Sequence, residues 1–259
     1  HAAVTASHAA AAVTVHGPGV NITHGKSVNN GGVAVHLAGS GTSPASSRGA
    51  IAHEAESTNW SGYAADSGTY TSVSASWVQP TATCRGRSDL YSSFWVGLDG
   101  YTSGTVEQTG TDSDCNGSSP SYYGWYETYP NPSYNFGDTI EPGDTIDASV
   151  TYEGSNHFLY KLQDTTRNWS VSTTQTEAGA SRSSAEVIVE APCCTNSGGI
   201  LPLANFGTAH FSESLVNGSA IGNTAPAEII MIDNSGADKD TVSSLSGGEN
   251  WSATWVRSN

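Results

Sequence analysis

Cations are the first thing this chain lacks. Among its 259 residues, Lys and Arg together number only 9, against 24 Asp and Glu, for a formal charge of −15. Nucleic-acid binding needs clustered Lys and Arg to replace phosphate counterions, so that class of partner is excluded. Charged residues of both signs make up only 13% of the chain, about half of the ~25% usual in globular domains. Halophilic enrichment in acids is a poorer explanation than adaptation to acid. With every carboxyl protonated and all His charged, nine Lys and Arg plus eight His give at most +17, so self-repulsion at low pH stays modest.

Other absences narrow the chemistry. No apolar run is long enough to span a bilayer, so no membrane partner is expected. No signal peptide opens the chain, which is read as an export signal already removed. No H-E-x-x-H zinc motif and no G-x-S-x-G nucleophile elbow occur. The four cysteines, Cys84, Cys115, Cys193 and Cys194, fit no zinc spacing. Cys84 and Cys115 flank one polar region and are the favoured bridge. Cys193 and Cys194 are adjacent, and either a vicinal disulfide or two thiols is open to them. A disulfide implies an oxidising compartment, hence a secreted, extracellular protein. Asp112-Ser113-Asp114-Cys115-Asn116-Gly117 imitates the first half of a calcium loop, but the twelfth position is Tyr123 in place of Glu. No metal and no cofactor are expected.

What is present falls into two textures. Residues 1–53 are rich in Ala, Gly, Val and Ser, carry Lys26 and Arg48 as their only fixed charges, and hold His1, His8, His16, His24, His36 and His53. No carboxylate precedes Glu54. This is read as an N-terminal extension, with a His-triggered prosegment as the sharper possibility. Residues 54–259 read as one β domain. Val73, Ala75 and Trp77 alternate; so do Phe94, Val96 and Leu98, and Ile146, Ala148 and Val150. Turn pairs such as Asp99-Gly100, Asn116-Gly117 and Asn217-Gly218 separate the runs, and no helical period is sustained. Many short strands with regular turns predict an all-β antiparallel sandwich or jelly roll. Thr105–Asp112 is read as a β-like run that turns at Gly110.

Within that frame, alternation sorts the polar residues. Val106 and Gln108 share one face of their strand and Glu107 points the other way. Glu186, Ile188 and Glu190 share a face opposite Val187 and Val189. One glutamine and one or two glutamates are thus candidates to line one sheet surface. Alternation alone leaves open that they form an ordinary solvated face.

Several runs, in order, resemble the glutamic peptidases of the eqolisin (G1) family. They are Asn59-Trp60-Ser61-Gly62-Tyr63-Ala64, Phe94-Trp95-Val96-Gly97-Leu98-Asp99-Gly100 and Glu107-Gln108-Thr109-Gly110-Thr111-Asp112. Gly124-Trp125-Tyr126-Glu127-Thr128-Tyr129-Pro130, Pro142-Gly143-Asp144 and Ala185-Glu186-Val187-Ile188-Val189-Glu190-Ala191-Pro192 complete the set. The resemblance covers about residues 57–256. It implies a sandwich of two bent antiparallel sheets and an acid-acting, monomeric endopeptidase on polypeptide substrates. It also implies a catalytic pair at Gln108 and Glu190, and cleft residues at Trp60, Trp95, Asp112, Trp125, Glu127 and Tyr129. Asp99 is expected to be structural, and the sequon at Asn59 to be unglycosylated because it adjoins the cleft. Ala191-Pro192-Cys193-Cys194 departs from the acidic loop that the resemblance leads one to expect. The alternative weighed is a carbohydrate-active sandwich in which Trp125, Tyr129, Glu127 and Glu190 stack and cleave or bind sugars.

Overall fold

The computed structural model describes residues 11–12, 54–193 and 199–259. The six N-terminal histidines and Cys194 lie outside the described residues. Along the chain the strands are β1 (Ala11–Ala12), β2 (Glu54–Ser57), β3 (Trp60–Ala65), β4 (Ser72–Val78), β5 (Ser93–Leu98), β6 (Val106–Asn116), β7 (Ser119–Tyr129), β8 (Tyr134–Asn135) and β9 (Thr145–Gly154). Then come β10 (His157–Asp164), β11 (Trp169–Thr176), β12 (Ala185–Glu190), β13 (Thr208–Val216), β14 (Ser219–Ala220), β15 (Ala227–Met231), β16 (Asp240–Val242) and β17 (Trp251–Trp255). A single 3-10 turn, Ile221–Thr224, is the sole helical element among the described residues.

Two sheets result. One has nine strands in the order β1-β8-β7-β6-β5-β12-β3-β15-β2; the other runs β11-β10-β9-β4-β13-β17-β16, with β14 on β13. All pairings are antiparallel except β15 with β2. The predicted all-β sandwich is therefore found. Its core lies between the sheets and is made by the alternating positions of the sequence: Val73 and Trp77 of β4, Phe94 and Val96 of β5, Ile146 and Val150 of β9, Val187 and Val189 of β12. Each fully buried side chain of this size contributes about 1.5–3 kcal/mol.

One expectation about β6 needs adjusting. The strand does not turn at Gly110 but runs straight through to Asn116. Glycine is required there by close approach: a Cβ would lie 2.1 Å from the Phe94 carbonyl oxygen and 2.5 Å from Trp95 Cβ. The polar run from Asp112 onward is likewise extended strand. Its side chains alternate between faces and so cannot wrap a cation as a calcium loop does. Cys84 is bonded to Cys115, with Cα atoms 5.4 Å apart and a sequence separation of 31. On the chain-entropy account, a loop of that length stabilises by about 3–4 kcal/mol. Cys193 is disulfide-bonded as well.

Candidate active site

The outer face of the nine-stranded sheet carries the predicted site. Cross-strand register sets its residues in rows. Ala64, Glu186, Gly97, Gln108 and Glu127 make one row, and Gly62, Ile188, Trp95, Gly110 and Trp125 the next. Trp60, Glu190, Ser93, Asp112 and Tyr123 make the third. Val106, Trp60, Trp95, Tyr123, Trp125 and Ile188 form an apolar cluster on this face, with half-buried Tyr101 and Tyr129 against it. Glu107 faces the other way. Trp60, Trp95, Gln108, Asp112, Trp125, Glu127 and Glu190 are all at 0% exposure, so this face is not a wet sheet surface.

Gln108 and Glu190 stand on strands two apart, in rows four residues apart, so register alone does not make them neighbours. Glu127 links them. Its Oε2 accepts a hydrogen bond from Gln108 Nε2 at 2.8 Å, and its charge acts on Glu190. Glu190 is held from both sides. Trp95 Nε1 donates to its Oε2 at 2.8 Å, and Asn59 Nδ2 donates to its Oε1 at 3.3 Å. The Trp95 indole reaches across rows to do this, and Trp60 packs edge-on against it with ring centroids 4.8 Å apart. Gly97 makes the space: a Cβ there would come within 2.9 Å of Trp95 Cζ3 and 3.1 Å of Gln108 Cβ.

The electrostatics set Glu190 apart from an ordinary glutamate. An ordinary Glu suits a base working in acid, near pKa 4.3. Here burial, and next the repulsion from Glu127, hold the Glu190 carboxyl well above that range, opposed by the Trp95 hydrogen bond. Glu186, on the same face, is also pushed well above its usual value by burial, with Asp99 adding repulsion. Glu107, on the opposite face, is pushed up to about 9, by burial first and then by Asp99.

A second network props the third row. Tyr123 Oη lies 2.8 Å from Asp112 Oδ2 and 2.9 Å from Asp114 Oδ2. Trp125 Nε1 donates to Asp112 Oδ1 at 2.6 Å, and the Ser92 backbone N–H donates to Asp114 Oδ1. A phenol has one hydrogen, so it donates to one carboxylate and accepts from the other, which must then hold a proton. The titration agrees. Burial pushes Asp112 up to about 7 against its Tyr123, Ser93 and Trp125 hydrogen bonds, and burial with Asp112 repulsion holds Asp114 well above its usual range.

Sequence reasoning missed Asn59, Asp114 and Tyr123. The sequence offers Asn59 as a sequon and as the first residue of a family-like run, with no role at the site; it is 2% exposed and bonded to Glu190, with Ser57 Oγ donating to its Oδ1 at 3.0 Å. Asp114 was available from alternation, two residues beyond Asp112. Tyr123, counted as the residue that spoils a calcium loop, is the cross-strand partner of Asp112. Asp99 is structural as expected: it accepts from the backbone N–H groups of Ser181, Arg182 and Ser183. Among the described residues, no group of three His, Cys, Asp or Glu is arranged to hold a metal.

Residues 58–255 match the family described as the peptidase A4 family. Aspergillopepsin-2 of Aspergillus niger is 29% identical over 206 residues, covering 70% of this chain and 71% of that protein. The crystal structure of scytalido-glutamic peptidase with a transition state analog inhibitor superposes with a TM-score of 0.68 at 29% identity, covering 77% of this chain and 98% of that one. Aspergilloglutamic peptidase from Aspergillus niger gives a TM-score of 0.56 at 29% identity, with 64% and 99% covered.

Proposed function

This chain belongs to the peptidase A4 family and is a glutamic peptidase acting on polypeptides; from that premise we propose that it is a secreted, acid-acting endopeptidase whose dyad is Gln108 and Glu190. The observation that carries the assignment is the pair of hydrogen bonds that hold Glu190, one on each oxygen, on the same buried face as Gln108. The family decides against the carbohydrate-active alternative.

In the proposed reaction, Glu190, ionised once opening of the site has relieved the burial that raises its pKa, takes a proton from a water, whose oxygen bonds to the scissile carbonyl carbon. The carbonyl π electrons move to oxygen, and an amide hydrogen of Gln108 stabilises that oxyanion. Glu190 returns the proton to the leaving nitrogen, the C–N bond breaks, and a carboxylic acid and an amine leave. Glu127 sets the plane of the Gln108 amide, and Trp95 and Asn59 favour the ionised form of Glu190. Gln108 does not titrate, so its donor survives in acid where a histidine base fails. Trp60, Trp125, Asp112 and Tyr129 are assigned to the walls that receive the substrate, with Asp112 also orienting Trp125.

Apart from half-buried Tyr129, the site residues are closed to solvent, so an opening step must precede substrate entry. We assign that step to loss of residues 1–53 as a self-removed prosegment, leaving 54–259 as the catalytic domain. The pairing of Ala11–Ala12 with Tyr134–Asn135, on the site-bearing sheet, supports this. The test is acid incubation followed by N-terminal sequencing, on wild type and Glu190→Ala. Loss of roughly the first fifty residues in wild type alone is expected. Equal processing of both proteins, or near-normal cleavage of denatured protein by Glu190→Gln, sinks the proposal. Activity is expected to persist in the presence of pepstatin-type inhibitors and to be confined to a monomer.

A further inference from the structure

A cavity of about 400 Å³ lies apart from the proposed dyad, walled by Thr58, Ile200, Ile232, Asn234, Ser235 and Lys239. Lys239 is the unusual member. It is 3% exposed, and among the described residues its ammonium takes part in no salt bridge. Lysine is almost never buried to this degree unless paired, because an ammonium withdrawn from water is costly without acceptors.

Two carboxylates act on Lys239, and neither saturates it. Asp233 is committed elsewhere. Its Oδ1 accepts from Ser235 N, Ser235 Oγ and Ala237 N, and its Oδ2 faces Arg257 at 3.8 Å. Asp240 is fully buried and takes the Ser61 hydroxyl at 2.5 Å. Burial pushes Asp240 up to about 7, with Asp238 adding repulsion, while burial lowers Lys239 to about 8. Below neutrality Asp240 is therefore largely protonated and Lys239 charged. In acid the cavity presents an ammonium on a wall shared with Asp233, whose oxygens are already engaged, and with the C-terminal residue Asn259.

We propose that this cavity binds the terminal carboxylate of a short peptide or amino-acid derivative, with Lys239 as its counter-ion. A single cation next to an engaged carboxylate suits a monoanion, and inorganic phosphate, itself a monoanion at about pH 5, lacks the apolar group that would fill the rest of the cavity. Ile200 and Ile232 give the apolar wall that a side chain needs, and the volume exceeds that of a bare oxyanion. An α-carboxyl, with pKa near 3.3–3.7, stays ionised through most of the acid range. Peptide hydrolysis generates such a group in every turnover. The cavity is placed to report it, because Thr58 on its wall precedes Asn59, the residue that donates to Glu190.

The test uses the full chain carrying Glu190→Ala, so that binding is read without cleavage. N-acetyl-leucine, N-acetyl-leucinamide and inorganic phosphate are titrated at pH 5 by calorimetry. The free acid is expected to bind at least tenfold more tightly than the amide or phosphate, and Lys239→Met to abolish that preference. Should Lys239→Met fail to fold, Ser235→Trp, made at the exposed rim, blocks the cavity instead and is expected to weaken the acid at least tenfold. Equal binding of acid and amide, phosphate as tight as the acid, no binding of the acid, or full binding by either folded variant would overturn the proposal. The dyad assignment is untouched by any of these results.

Discussion

The two sheets treat their outer faces in opposite ways. In the eight-stranded sheet, β4, β9 and β10 alternate between buried and half-exposed residues, and the outward positions are Ser74, Ser149, Lys161 and Ser172 in one cross-strand row. In the nine-stranded sheet, β3, β5 and β12 are buried at every position. Its outward residues are carboxyls, an amide and indoles. A polar residue on the first sheet is hydrated and contributes little. One on the second has lost its water and must find a hydrogen-bond donor, keep a proton, or do chemistry. The same antiparallel alternation thus yields a wet surface on one side of the molecule and a reactive one on the other.

The strongest way to break this contrast is at the dyad. Glu190→Gln is expected to lower kcat for acid cleavage of denatured protein by about 10⁴-fold or more, comparable to loss of a base or nucleophile elsewhere. Gln108→Ala should cost about 10²–10³-fold, the effect of losing one oxyanion donor. Circular dichroism should show both variants folded. Gly110→Ala tests packing: its methyl would strike the Phe94 carbonyl, and chemical denaturation should show a loss of about 3 kcal/mol.

The buried acids also predict how stability follows pH. Asp112 and Asp240 rise to about 7 and Glu107 to about 9 in the folded protein, against unfolded values near 3.9 and 4.3. Folded pKa values above unfolded ones mean that the native state binds protons more tightly. The stabilising contribution is full below about pH 4, declines as pH rises, and is lost once pH passes about 7 for the aspartates and about 9 for Glu107. Thermal melts between pH 3 and 9 should show Tm falling across that window by several degrees, each kcal/mol being worth about 2–4 °C at this size. A Tm that rises with pH would refute the buried-acid picture.

Smaller effects sharpen the comparison. Glu127→Gln removes the charge that repels Glu190, so Glu190 ionises at lower pH and the acid limb of the rate profile should move to lower pH. The carboxamide oxygen still accepts from Gln108, so kcat on the plateau should change far less than in Gln108→Ala. On the eight-stranded sheet, Ser149→Ala should change stability by less than about 0.5 kcal/mol and leave cleavage unaltered.

The contrast also marks how far the residues could be read unaided. Alternation in Val73–Trp77, Ile146–Val150 and Val187–Val189 sufficed for the all-β class, because period two is a local property of the chain. It also sufficed to separate Gln108 from Glu107 and to group Glu186 with Glu190. Asn59, Asp114 and Tyr123 escaped for different reasons. Asn59 acts only through a residue 131 positions away. Tyr123 gains its role from the β6–β7 register, which makes it the partner of Asp112. Gly110 misled, because a glycine that ends a strand and one that admits a neighbouring backbone look alike in one dimension.

The sequence by itself therefore determined the sandwich, the face on which each strand residue lies, and the candidate dyad by family likeness. Only the tertiary structure decided that the face is buried, that Glu127 accepts a hydrogen bond from Gln108, and that Glu190 is held at a raised pKa by burial and by Glu127. The reason is physical. Face is fixed by the backbone's own two-residue period, whereas desolvation and charge–charge coupling depend on which strands are neighbours and on what closes over them.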